Sequence, residues 1–226
     1  MCALTPALNA NSVIFTLGSP NNQNYSYGTE SNVPVGPYPG TLTGSTLLDF
    51  YCMDMDLPAN WNTAYNGSDA NPSTQNEIEA AYLATLEQYY GGMSTNQTFI
   101  NTVIGPISLA IWELMGNMGS YPNDPAALPY IQQAQYAWND LLNNPQDTQA
   151  QKLIVQNWLS HVLIFTPTVY GTQRFLGAYA DSALIVAAMP EPGSILLFLT
   201  GLALIAVGRL HPPKWLALAR RGKGRS

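Results

Sequence analysis

Apolar and polar positions alternate at the start of the body. "NSVIFTL" and "GTLTGSTLLDFYCMDM" read as strands, separated by the turn-rich "GSPNNQNYSYGTESNVPVGPYPG". The period then changes. Thr74 and Glu77 form a Thr-x-x-Glu capping box, and Ile78, Ala81, Tyr82, Thr85, Leu86 and Tyr89 follow at three- and four-residue steps until Gly91 and Gly92. This spacing predicts a helix that buries Ile78, Tyr82 and Leu86. A second helix is expected over Pro106 to Met115, with Ile107, Ala110, Ile111 and Leu114 on one face. A third is expected from an Asp124 cap through Pro125 to Leu142, carrying Ile131, Ala134, Gln135, Trp138, Leu141 and Leu142. The stretch "LIVQNWLSHVLIFTPT" fits either helix or strand, except that Val162 to Thr166 reads as a strand stopped by Pro167. "ADSALIVAAM" is one more candidate strand.

Strands, then helices, then strands predict an α+β domain: an antiparallel sheet with about three packed helices. No fixed-period repeat is visible. Beyond the domain, "SILLFLTGLALIAVG" from Ser194 to Gly208 is fifteen residues without a charge, preceded by Pro190, Pro192 and Gly193. A helix of that length covers about 22 Å against the roughly 30 Å of a hydrocarbon core. Snorkelling by Arg209 and one added turn extend its reach. A buried core helix is the alternative, but the run has no polar face. The expectation is a single C-terminal transmembrane helix.

Charge sharpens this picture. Six of the eight basic residues, Arg209, Lys214, Arg220, Arg221, Lys223 and Arg225, lie beyond the apolar run, so the positive-inside rule keeps that end in the cytoplasm. The body before Pro190 holds only Lys152 and Arg174 against 13 acids, a net charge of −11. Phosphate backbones would repel it, which argues against a nucleic-acid partner. Low charge with 13 Tyr, 17 Pro and 18 Gly leans toward an exported, turn-rich surface protein. The opening "MCALTPALNA" is short, apolar and ends in Ala10, and is expected to be a signal-peptide remnant, with an ordinary N-terminus as the alternative. Cys2 lies within it, so pairing with Cys52 is not expected. The resulting division is 1–10 leader, 11–188 extracytoplasmic domain, 189–226 sorting and membrane segment.

"MPEPGSILLFLTGLALIAVGRL" resembles the PEP-CTERM sorting signal of exported proteins in Gram-negative bacteria, with Pro190, Glu191 and Pro192 as the motif, then a hydrophobic helix and an Arg-rich end. The resemblance covers roughly the last 38 residues. It implies recognition by an exosortase, transient anchoring in inner-membrane lipid, removal of the tail and release to the cell surface or beyond. It also implies association with exopolysaccharide and biofilm. The tail "HPPKWLALARRGKGRS" is longer than that pattern usually has.

Within the body, Cys52 and His161 are the one thiol and the one imidazole, and a nucleophilic dyad would need folding to join them. The same lone histidine argues against a zinc site. "DFYCMDMD" followed by "ISLAIWELM" resembles bacterial surface adhesion domains of the thioester type, over Gly40 to Leu176, with a late "TP…Q" segment at Thr166, Pro167 and Gln173. That resemblance implies a bond from Cys52 to a glutamine two residues before Ala110. This chain has Ser108 there, and a hydroxyl carries no acyl carbon; Gln97 is the neighbouring glutamine. The reading is a non-reactive relative.

Asp49, Asp54 and Asp56 form a candidate Ca2+ cluster, with a solvated acidic edge as the alternative, since a full site wants six to eight oxygens. Glu77, Glu79, Glu87 and Glu113 are acids that folding could pair for sugar hydrolysis. Nothing in their spacing selects them. No cofactor is called for. The expectation is a non-enzymatic surface or matrix protein, with a covalent adhesin or secreted hydrolase as the rival.

Overall fold

The computed structural model describes residues 11–19, 24–27, 30–43, 46–91, 96–116, 124–139 and 149–179. The chain divides into two compact units, Met1–Ala188 and Met189–Ser226. The second lies outside the described residues, and with it the Pro190–Glu191–Pro192 motif, the expected transmembrane helix and the six basic residues. The leader and "ADSALIVAAM" also lie outside them. Among the described residues no helix is long and apolar enough to cross a membrane.

Among the described residues, eight strands and five α-helices follow one another. They are β1 Asn11–Leu17, β2 Asn24–Tyr27, β3 Glu30–Pro34, β4 Tyr38–Leu42, β5 Thr46–Cys52, β6 Thr63–Ala70, α1 Gln75–Gly91, α2 Gln97–Phe99, α3 Gly105–Leu114, α4 Leu128–Ala137, α5 Gln149–Leu159, β7 Val162–Pro167 and β8 Phe175–Tyr179. A π-helical turn, Ile100–Ile104, joins α2 to α3.

The domain is α+β, as its strand and helix periods imply, but the sheet is not open. It closes into a barrel in the order β1-β4-β5-β8-β7-β6, with β6 returning to β1, and every pairing is antiparallel. Closure removes free edges that an open sheet would leave. The helices are inserted between β6 and β7. Beside the barrel, β2 and β3 form a hairpin.

Aromatic rings fill the barrel. Phe15 stacks on Phe50 at 5.7 Å and on Tyr65 at 5.1 Å, and meets Phe165 at 5.2 Å and Phe175 at 5.8 Å. Their strands make room with glycine: a Cβ on Gly177 would collide with the Phe165 ring, and one on Gly40 with Phe50.

The helix count also departs from expectation. Four helices of ten or more residues form, because "LIVQNWLSHVLIFTPT" divides at Ser160–His161 into α5 and β7. The predicted capping box of α1 is present: Thr74 Oγ1 accepts the Glu77 N–H at 3.3 Å, and Glu77 Oε2 accepts the N–H groups of Ser73 and Thr74 at 2.9 Å. The expected helix from Pro106 is α3, extended backwards through the π turn to Gln97. The third expected helix starts later than forecast, at Leu128 after a turn at 125–127, and its expected end at Leu141 and Leu142 lies outside the described residues. Asp124 caps the turn before α4, its Oδ1 accepting the Ala126 N–H at 2.8 Å. Helix α1 packs against α3, α4 and β8, α3 against β5, and α5 against β7.

Candidate functional site

Alternation along β5 separates two environments. Leu48 and Phe50 face the barrel core, and Cys52 follows on the same side. Leu47, Asp49 and Tyr51 take the outer face. Leu47 is 73 % exposed there, whereas Tyr51 is 1 % exposed. Helix α1 reaches this outer face at Asp49, where Gln88 Nε2 donates to Asp49 Oδ2 at 2.8 Å.

The end of β5 is held from three directions. Trp112 of α3 donates its indole N–H to the Cys52 carbonyl at 2.9 Å. The Cys52 thiol meets the Tyr38 phenol and the Gln173 amide. Tyr38 in turn donates its hydroxyl to Pro34 O at 2.7 Å, and Gln173 Nε2 donates to the Asp54 carbonyl. The buried Asp54 carboxylate then accepts the Arg174 backbone N–H at 2.8 Å and pairs with its guanidinium at 3.0 Å.

Ser108 lies four residues before Trp112, so the two share the α3 face that meets β5. Its hydroxyl donates to Glu87 of α1, 3.0 Å from Oε1 and 3.1 Å from Oε2. Glu87 is sealed at 0 % exposure. Burial drives its pKa well above the carboxylate range, the Ser108 hydroxyl pulls back by less, and the Asp49 carboxylate adds to the rise. Gly36 is the only residue that fits alongside, since a Cβ would lie 2.8 Å from Tyr51 and 3.1 Å from Glu87 Oε1.

Burial also pushes the Cys52 thiol far up; hydrogen bonds from Tyr38 and Gln173 offset only part of this, and Glu87 and Asp54 raise it further. The thiolate is the nucleophilic form, and burial disfavours it here. In the native protein Cys52 should resist alkylation by iodoacetamide and react within minutes once denaturant opens the fold. Rapid stoichiometric labelling of native Cys52 would contradict the burial.

His161 is not brought to Cys52. Cys52 pairs with Phe175, while the His161 carbonyl accepts the N–H of Tyr179, four residues or about 13 Å further along β8. His161 Nδ1 sits 2.7 Å from Asn157 O instead. Gln97 is exposed and donates to Asn24 O at 2.8 Å, away from the thiol. The three aspartates part company: Asp49 binds Gln88, Asp54 binds Arg174 and Asp56 is exposed. Among the described residues no three His, Cys, Asp or Glu side chains are grouped to hold a metal.

The glutamates are separated as well. Glu77 caps α1; burial alone would raise it, but the N–H and hydroxyl groups of Thr74 and Ser73 outweigh that and lower its pKa. Glu79 accepts from Gln75 at 2.7 Å, and Glu113 accepts the Asp124 N–H at 2.8 Å. Glu79 and Glu87 stand about 12 Å apart along α1, beyond the 5–9.5 Å that glycosidase pairs use. Glu87 stands between the two residues that the sequence singled out, accepting the Ser108 hydroxyl and raising the Cys52 thiol by its charge. Sequence reasoning missed Tyr38, Arg174 and the inward role of Glu87, which no local pattern marks.

No protein-family model and no curated protein matches the chain. Two solved structures are similar to it. The N-terminal thioester domain of fibronectin-binding protein SfbI from Streptococcus pyogenes aligns over 76 % of this chain and 99 % of its own, at 11 % identity and a TM-score of 0.35. The N-terminal domain of the Streptococcus pyogenes pilus tip adhesin Cpa aligns over 76 % and 95 %, at 13 % identity and a TM-score of 0.33.

Proposed function

We propose that the chain is an exported protein of the cell surface or extracellular matrix, anchored in the inner membrane until an exosortase removes its tail, whose domain works non-covalently and without catalysis alongside exopolysaccharide. The tail supports the address: a Pro-Glu-Pro turn, an uncharged run and a basic end stand in that order. The observation that carries the non-covalent reading is Ser108. Its hydroxyl is committed to Glu87 on the face that meets Cys52, where a thioester would need an acyl carbon.

One contact favours the rival covalent reading, because the Gln173 carboxamide touches the Cys52 thiol. Attack by that sulfur would form a C–S bond and expel the amide nitrogen as ammonia. Here that nitrogen is anchored as a donor to the Asp54 carbonyl, and the thiol keeps its proton. The intact mass of the untreated protein should therefore equal that calculated for its unmodified chain, with no methylamine adduct after incubation. A deficit of about 17 Da would establish the covalent form and overturn the non-covalent one.

Processing is tested separately. In a host carrying an exosortase, the mature form should lack the residues from about Pro190 onward and be recovered outside the inner membrane; in an exosortase deletion strain the full chain should stay in the membrane. Full-length protein lodged in the inner membrane of both strains would sink the sorting reading.

A further inference from the structure

Away from the Cys52 site, the C-terminal end of α1, the α2 region and the start of α4 gather four aromatic rings. Tyr89 and Tyr90 lie 5.4 Å apart, and Tyr90 meets Phe99 edge-on at 6.3 Å. Tyr130 joins from α4. Its hydroxyl reaches Thr102 O at 3.5 Å, and burial first, the neighbouring Tyr90 phenol second, raise its pKa. All four are half-buried, neither sealed as core rings are nor fully in solvent.

What surrounds the rings says what they suit. From Gln88 to Trp112 the chain has no charged side chain, and α4 from Leu128 to Ala137 has none. In a body of net charge −11 these are two long neutral segments. Exposed residues around Phe99 include Asn96, Gln97, Thr98, Asn101 and Thr102, which offer amides and hydroxyls, while exposed Leu128 and Pro129 precede Tyr130. Neither of these two segments offers a cation to an acidic polymer or an anion to a basic one. A neutral sugar chain has the complementary chemistry: C–H faces that lie on aromatic rings and hydroxyl edges that bond to amides.

We infer that the surface formed by Tyr89, Tyr90, Phe99 and Tyr130 is a binding platform for an uncharged polysaccharide. The sugar rings rest on the aromatic faces, and Asn101 and Thr102 meet their hydroxyls. This deepens the surface-protein reading and rests on it only for where the polymer is met. Binding in solution and removal of the tail can therefore fail independently.

The test is native affinity electrophoresis of the full chain, in a detergent without a sugar headgroup, through gels containing hydroxyethylcellulose, dextran or galactomannan, with alginate as the acidic comparison. Retardation is expected in at least one neutral gel and not in alginate. Tyr90→Ala and Phe99→Ala should each weaken it roughly fivefold, the worth of one ring contact. Tyr90→Phe, which keeps the ring, and Tyr170→Ala, at a fully exposed position between β7 and β8, should leave it unchanged. Thermal melts of each variant separate lost binding from lost folding, and Tyr130→Ala supplies a third ring should either alanine variant fail to fold. Three results would overturn the inference: no retardation in any neutral gel, retardation only in alginate, or alanine variants that bind as the parent does. Self-association abolished by the same alanines would reassign the platform to a second copy of the chain.

Discussion

Replacing Glu87 with glutamine should make the domain more stable at neutral pH, and progressively more so as pH rises. Glu87 has a folded-state pKa raised well above 4.5, chiefly by burial. The unfolded chain loses this proton near its ordinary value, while the folded chain retains it. Stability from this group is therefore fully present below about pH 4.5 and drains away as pH climbs toward the folded value, at about 1.4 kcal/mol per unit. Glu87→Gln keeps an acceptor for Ser108 and abolishes the titration. The two curves should meet near pH 4, and above that point the variant should exceed the parent by an amount that grows with pH. Asp49, Glu79 and Glu113 also have raised values, and Glu77 a lowered one, but these contribute to both proteins alike. Urea titrations across that range decide the matter. Parallel curves would mean that Glu87 reaches solvent and is ionised in the fold.

Phe15→Ala is the other large effect expected. Phe15 is 0 % exposed and touches the rings of Phe50, Tyr65, Phe165 and Phe175, so its loss opens a cavity at the centre of the barrel. The cost should be about 3–5 kcal/mol. Its neighbour Ile14 is 53 % exposed on the outer face, and Ile14→Ala should change stability by about 0.5 kcal/mol or less. Equal denaturation midpoints for the two variants would refute the inward and outward assignment along β1.

Helix α1 was legible because its whole code is local: Thr74 and Glu77 close the first turn, apolar steps follow, and glycine ends it. Strand β1 and the strand ending at Pro167 were legible from alternation. Strand β6 was not. "TAYNGSDA" reads as a turn, and only Tyr65 and Gly67 face the core. It is a strand because β1 pairs along one side of it and β7 along the other. Strand β8 hid for a related reason, since Gly177 breaks a five-residue apolar run and is required there by the ring of Phe165. At the site, Cys52 and Ser108 could be named from their motifs. The clamp of Asp54 by Arg174 joins residues 120 positions apart, and nothing near either one announces the other.

Amino-acid order alone determined the mixture of strands and helices and the acidic body with its basic end, because each is a property of composition or short-range spacing. Tertiary structure alone decided that the sheet closes on itself, that Glu87 is sealed against Ser108, that Cys52 and His161 lie apart, and that four tyrosine and phenylalanine rings meet at one end of the helices. Periodicity dictates which face of an element is apolar. Which partner covers that face, and which polar group is trapped beneath it, follows only from how distant segments pack.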